Sequence, residues 1–514
     1  MKKFFLAHKH AVLAALAALA FLFSAFDWFS SDKCSPSNRG PFDGKVLYTC
    51  TVKALAEIHR GNIDPRVRQA WLDVWLHRFD NSNLLDDETG TLKAVTDMLM
   101  SMNERFDYFY TPADTHQNSI DAEGQIAGIG ANIAFVGKTP AALEKLELPK
   151  YPTAQALALL RQKYATAGNG SRFDKMVVAS DPAPGTPAYG AGLKAGDQIL
   201  EINGSPIDTS ADAEALIANV RGPEGSQVTL KIVTGAEGKR RTVHLVRQII
   251  KMPAASETDI GDVGVVRIAE FESENTAADV HEALDKACGV TGSNESDNGC
   301  KANALIIDLR NNPGGRLDIV LRVIQLFVEQ GRLVTVNMRN GDHSDSQNYI
   351  LTKNHLSLTL PDGTAQHVER WISVHFPLDR PIVVLTNENT ASGAEALAEM
   401  LQRYRNAIVV GKRTVGKGVG QCPVGLPFDY SLFPICMEYS IGDKSVDWVG
   451  VTPDVEVAAA DGATDLQMAR ALEVAHNPSA FAAGKSNVDL TSIMKQRKAE
   501  FADAQEKMRA LLGL

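Results

Sequence analysis

A chain that contains Thr386 to Gln421, TNENTASGAEALAEMLQRYRNAIVVGKRTVGKGVGQ, has to bury a strand, turn sharply, run a helix and return through a second strand into a glycine-rich loop. The run PIVVLT, Pro381 to Thr386, has the apolar, β-branched content of a buried strand, and Asn387 to Thr390 is polar turn chemistry. A helix is predicted over Gly393 to Arg405. There Ala394, Leu397, Met400, Leu401 and Tyr404 recur at helical spacing, with Glu395 and Glu399 in the first two turns. Ala407 to Val410 reads as the next strand.

Ser392 falls where the strand has just become the helix, next to a Gly393 N–H that has no intrahelical acceptor. A serine at such a place is ordinarily a helix cap. Lys417 supplies a second reading, because it lies between Gly416 and Gly418, where the backbone can pass close to another segment. A buried, neutral lysine can take the proton of a serine hydroxyl, so that a Ser-Lys pair does the work of a Ser-His pair. In an extended segment Gln421 falls on the same side as Lys417 and can orient the amine as a third member. Two rival motifs fail. GKRTVGKG, Gly411 to Gly418, approaches the phosphate-binding loop but ends on Gly418, without the hydroxyl that holds magnesium. No G-x-S-x-G surrounds any serine, so a nucleophile elbow is not expected, and His367 and His375 have no partner motif.

TASGAE followed by GKRTVGKGVGQ resembles the active-site segment of the carboxy-terminal processing peptidases, also called tail-specific proteases. The resemblance implies Ser392 as nucleophile, Lys417 as general base and Gln421 as the partner of the lysine. The sequence departs from the usual pattern at Gly393, Ala394 and Val415, none of which removes a catalytic atom. DLRNNPGG, Asp308 to Gly315, occurs in the same family, where it helps to form the oxyanion hole. It implies Gly393 together with Gly314 or Gly315 as the donors. YSIGDKSVDWVGVTPDVEV, Tyr439 to Val457, resembles the closing segment of these peptidases. Upstream, AGIGANI followed by AYGAGLKAGDQILEING resembles a PDZ domain, which captures the C-terminus of a polypeptide. That resemblance implies Gly128, Ile129 and Gly130 as the peptide-binding loop and the helix Asp212 to Val220 as the other wall, with Gly137 to Asp174 an insertion.

The fold class expected is therefore multidomain α/β, with strand and helix alternating from residue 251 onward. The domains are a signal peptide or N-terminal membrane anchor at 1–30, a helical N-terminal region at 31–120, a PDZ domain at 121–250, an α/β Ser-Lys peptidase domain at 251–475 and a helical tail at 476–514. Lys2, Lys3 and Lys9 precede an uncharged apolar run, Ala11 to Phe26, without a clean small-x-small cleavage site. Export follows from either reading: a periplasmic or cell-envelope protein, or one anchored in the inner membrane. The six cysteines fit an oxidising compartment. Fifteen pairings are open to them, and short loops favour Cys34 with Cys50, Cys288 with Cys300 and Cys422 with Cys436. No C-x-x-C and no histidine cluster accompanies them, so no metal and no other cofactor is expected. A net charge of −10 argues against nucleic acid as a partner. The partners expected are proteins or peptides with free C-termini, with an activating adaptor and homo-oligomerisation both left open, and a membrane only through the N-terminal segment. The function expected is an exported serine endopeptidase that cleaves near a substrate's C-terminus. The alternative is a non-enzymatic PDZ scaffold with a degenerate peptidase domain.

Overall fold

The segment Pro381 to Gly411 contributes two neighbouring strands to a six-stranded sheet in the computed structural model of the protein. Its strands are, in spatial order, Ala255–Ile260, Val263–Ile268, Ala304–Asp308, Ile382–Thr386, Ile408–Gly411 and Val455–Glu456. The first pairs antiparallel with the second, and all the others are parallel. Such strands are buried on both faces and so read as continuous apolar runs. Ile382 and Val384 pack on one side with the helices Thr276–Cys288, Leu317–Ile324 and Gly393–Arg405. Val383 and Leu385 pack on the other side against the helix Leu466–His476.

A second six-stranded sheet is antiparallel, in the order Ala365–Glu369, His355–Thr359, His343–Leu351, Gly331–Asn340, Ile435–Ser440 and Val419–Gln421. The backbone thus leaves the first sheet at Gly411 and joins the second at Val419, with Lys417 on the span between them.

The structure describes residues 32–112, 125–136, 173–209, 213–289 and 300–512, except 63, 180, 183–184, 235–237, 252, 341, 371, 373, 459–464 and 482–488. The expected signal or anchor at 1–30, most of the expected insertion Gly137 to Asp174 and the polar stretch Asn294 to Asn298 lie outside the described residues. Among the described residues no helix is long and apolar enough to cross a membrane.

Packing divides the protein into two compact units, Met1–His116 with Pro253–Asp503, and Gln117–Met252 with Ala504–Leu514. The N-terminal helices Gly44–Ile58, Pro65–His77 and Glu88–Ser101 are therefore no independent layer. Their Leu47, Leu55, Val95 and Met98 share a core with Val424, Leu426, Tyr430 and Leu432. The strand Tyr108–Tyr110 pairs antiparallel with Ser431–Phe433. The other unit has a six-stranded sheet, with Ile133–Val136, Lys175–Val178, Gln198–Ile202, Gln227–Thr234 and Lys239–Val246 in order, Ile133–Val136 at one edge and the sixth strand, Ser205–Pro206, paired to Gln198–Ile202. The disulfides are Cys34–Cys50, Cys288–Cys300 and Cys422–Cys436.

Candidate active site

Three adjacent parallel strands, Ala304–Asp308, Ile382–Thr386 and Ile408–Gly411, deliver their following loops to the same end of the sheet. The carboxyl edge of such a sheet is where open α/β folds place their sites. The first loop carries Gly314 and Gly315, the second Ser392 and the third Lys417.

Ser392 has φ 52° and ψ −119°, a conformation that a residue with a side chain seldom adopts. The sharp strand-to-helix turn of a nucleophile elbow is thus present although the glycine pattern that usually announces it is absent. The helix begins at Gly393, as its apolar spacing predicts. Gly314, at φ +99°, lies beneath this turn: a Cβ there would stand 2.6 Å from the Cβ of Ser392 and 2.7 Å from the Gly393 nitrogen. The Gly314 N–H donates to Oδ1 of Asn312 at 2.8 Å. Among the hydrogen bonds of the described residues, the N–H groups of Gly315 and Gly393 find no acceptor.

Glu395 ties the second loop to the third. Its buried carboxylate accepts from the Ser392 N–H at 2.7 Å and the Lys417 N–H at 2.8 Å through Oε2. Through Oε1 it accepts from the Gly416 N–H at 2.7 Å and from the Thr414 hydroxyl. Burial pushes this carboxyl above its usual range, and the bonds it accepts oppose that shift. Tyr439 adds a second tie, its hydroxyl lying 3.0 Å from the Ser392 carbonyl oxygen and 2.6 Å from that of Lys417. Burial raises this phenol well above 10, so it stays a donor.

The amine of Lys417 sits 5.1 Å from the ring centre of Phe106 and 5.8 Å from that of Tyr108. Loss of water around it lowers its pKa to about 8, against the pull of the Glu272 and Glu395 carboxylates. Gln421 bonds this wall: its Nε2 donates to the Phe106 carbonyl at 2.8 Å. Two guanidinium groups hold the loop just ahead of the lysine. Arg105 donates to the carbonyls of Val415 and Gly416, and Arg497, from the tail helix, donates to that of Val415 at 3.0 Å. Sequence patterns do not single out Glu395, Tyr439, Phe106, Tyr108 or the two arginines as site residues. Only the acidic residue in the first helical turn carries a local signal, and it reads equally well as a partner of the helix dipole.

In the PDZ-like unit, Gly128 and Ile129 are buried, and the Ile129 carbonyl accepts from the Ala188 N–H at 2.8 Å. Gly130 has φ +71°, and a Cβ on it would meet the Thr186 side chain at 2.4 Å. The loop leads into the edge strand Ile133–Val136, and the predicted helix is present as Ala213–Val220.

A model of peptidase family S41 matches residues 262–457, and one of the PDZ domain matches residues 178–234. The carboxy-terminal-processing protease of Bartonella bacilliformis is 30% identical over 285 residues, which cover 55% of this chain and 59% of that protein. The chloroplastic carboxyl-terminal-processing peptidase 3 of Arabidopsis thaliana is 29% identical over 385 residues, covering 72% of this chain and 60% of that protein. A solved structure titled photosystem II D1 C-terminal processing protease aligns at 22% identity with a TM-score of 0.41, covering 81% of this chain and 93% of that one. The chain spans about three fifths of the length of these two curated relatives. By similarity, residues 262–457 thus form a peptidase S41 region and residues 178–234 a PDZ domain.

Proposed function

We propose that this protein is an exported serine endopeptidase in which Ser392 is the nucleophile and Lys417 the general base, and in which the PDZ domain docks substrate C-terminal tails. The observation that carries the reading is the double tie between the two loops. One carboxylate and one phenol hold the backbones of Ser392 and Lys417 together, while burial has brought the lysine's pKa down to about 8.

In the mechanism, neutral Lys417 takes the proton of the Ser392 hydroxyl as the oxygen attacks the scissile carbonyl. The protonated amine then gives that proton to the leaving nitrogen, and a water, activated by the same amine, hydrolyses the acyl-enzyme. The oxyanion falls to the N–H groups of Gly393 and Gly315. Gly314 is spent on Asn312, so its part is steric, giving the turn at Ser392 room. Each such donor is worth about 3 kcal/mol in the transition state. Gln421 acts on the lysine through Phe106, whose carbonyl it holds. In the PDZ domain Gly128, Ile129 and Gly130 receive the terminal carboxylate, and the edge strand Ile133–Val136 pairs with the tail. We assign the domains at 31–120, 121–250, 251–475 and 476–514, the first packed into the peptidase unit, and an extracytoplasmic location consistent with three disulfides.

The test is cleavage of an unfolded protein with an apolar C-terminus by Ser392→Ala and Lys417→Ala. Both variants are expected to be inactive with their folds intact, and turnover by either overturns the assignment. Labelling of Ser392 by a serine-directed phosphonylating reagent in peptide-bound protein separates an enzyme from a scaffold.

A further inference from the structure

Folding assembles a histidine cluster for which the sequence gives no motif. His281 and Asp285 lie one turn apart on the helix Thr276–Cys288, so both face the same way. His375 comes from the connection between the second sheet and the strand Ile382–Thr386. Its ring meets that of His281 edge to face at 4.5 Å, and its Nε2 stands 2.9 Å from Oδ1 of Asp285. One ligand atom from each of the three lies within 4.8 Å of the others.

We propose that His281, Asp285 and His375 bind a divalent transition metal, with Zn2+ the ion their donors fit. Two imidazoles and one carboxylate are a three-ligand zinc set, and a water completes the tetrahedron. The side chains are 30%, 31% and 22% exposed, which leaves that fourth position open to solvent. The second observation is the state of His375. Its Nε2 is shielded from water and, although near Asp285, makes no hydrogen bond with it. The nitrogen is thus within ion-pair reach of Asp285 without being aligned for a hydrogen bond, a geometry that an ion shared by the two groups accounts for. Ligands about a tetrahedral zinc stand roughly 3.4 Å apart, so side-chain rotations of about 1 Å close the site.

The metal would clamp the Thr276–Cys288 helix to the segment around His375. The N–H of His375 donates to the Leu326 carbonyl at 2.8 Å, just beyond the helix Leu317–Ile324, so the clamp stiffens the layer that covers the central sheet. This inference does not depend on the peptidase reading, since none of its ligands belongs to that site.

The experiment uses the untagged protein, stripped with a chelator and titrated with ZnCl2 by calorimetry, with thermal unfolding followed in parallel. Expected are one ion per protein molecule at micromolar affinity or better, a rise of several degrees in Tm, and at least tenfold weaker binding in His281→Ala and His375→Ala. Asp285→Asn, which keeps the size of the side chain, guards against loss of fold and weakens binding less. Co2+ in place of Zn2+ should give the intense visible bands of a four-coordinate ion. No heat at stoichiometric zinc overturns the proposal. So does affinity unchanged in His375→Ala, or affinity lost instead in His355→Ala, which breaks another close histidine pair, with ring centres 4.6 Å apart.

Discussion

If Lys417 is the base, the rate of cleavage has to follow its titration. Its pKa of about 8, down from 10.5, leaves roughly one amine in ten neutral at pH 7, against roughly one in three thousand for a free lysine. With a pKa of about 8, kcat/KM on a peptide substrate should climb about ninefold from pH 6 to 7 and about fivefold from pH 7 to 8, and then level off. The cause is local, so it can be moved. Phe106→Ala opens one side of the amine to water, raises its pKa and shifts the break upward. Activity should drop about three- to tenfold at pH 7 and recover by pH 10, a pattern that mere loosening of the fold does not give.

Stability supplies an independent readout. The folded-state pKa is depressed, so folding opposes the charged form. The penalty is complete below pH 8 and is relieved as pH rises toward 10.5. It amounts to about 3 kcal/mol at most, given the partial burial of the side chain. Lys417→Met should therefore be more stable than the parent at pH 7 by up to that amount, with the margin shrinking above pH 8. A flat rate profile from pH 6 to 9, or a break left in place by Phe106→Ala, refutes the reasoning.

Gly314→Ala puts a methyl group 2.6 Å from the Cβ of Ser392 at a φ of +99°, and should cost at least about 100-fold in labelling rate by a serine-directed reagent, with circular dichroism unchanged. Glu395→Gln keeps one acceptor oxygen and turns an amide donor toward two of the four donors that the carboxylate now receives. The loss is roughly 3 to 6 kcal/mol, and it should appear both as a lower denaturation midpoint and as lost turnover. Replacing Cys422 and Cys436 by serine opens a loop of sequence separation 14 that adjoins the lysine segment, and should destabilise by about 3 kcal/mol in chemical denaturation.

The elements nearest the site are legible in the sequence because their signals are local. Gly393–Arg405 begins and ends where its apolar spacing and the turn before it say it should. The strand Ile382–Thr386 announces itself by its apolar, β-branched run, and all five of its residues are buried. Cysteine pairing by short loops agrees with all three disulfides. Other features have no local signal. The elbow at Ser392 forms without its glycines because Gly314, on another loop, supplies the space that the missing pattern would have given. The extended spacing aims Gln421 at the amine, yet its amide bonds the carbonyl of Phe106, a residue far back in the sequence. The helical region expected at 31–120 gives no sign of a part in the site, whereas its Phe106 and Tyr108 wall the lysine.

The sequence by itself determined the strand–turn–helix–strand order, the positions of Ser392 and Lys417 within it, and the PDZ-like run upstream, since hydrophobic period, turn chemistry and glycine placement act between near neighbours. Only the tertiary structure decided that the two loops share one carboxylate and one phenol, that the Gly314 N–H bonds Asn312 while that of Gly315 finds no acceptor among the described residues, and that the amine loses enough water for its pKa to fall. Desolvation and backbone pairing across hundreds of residues depend on which surfaces meet, and no local pattern of residue types encodes that.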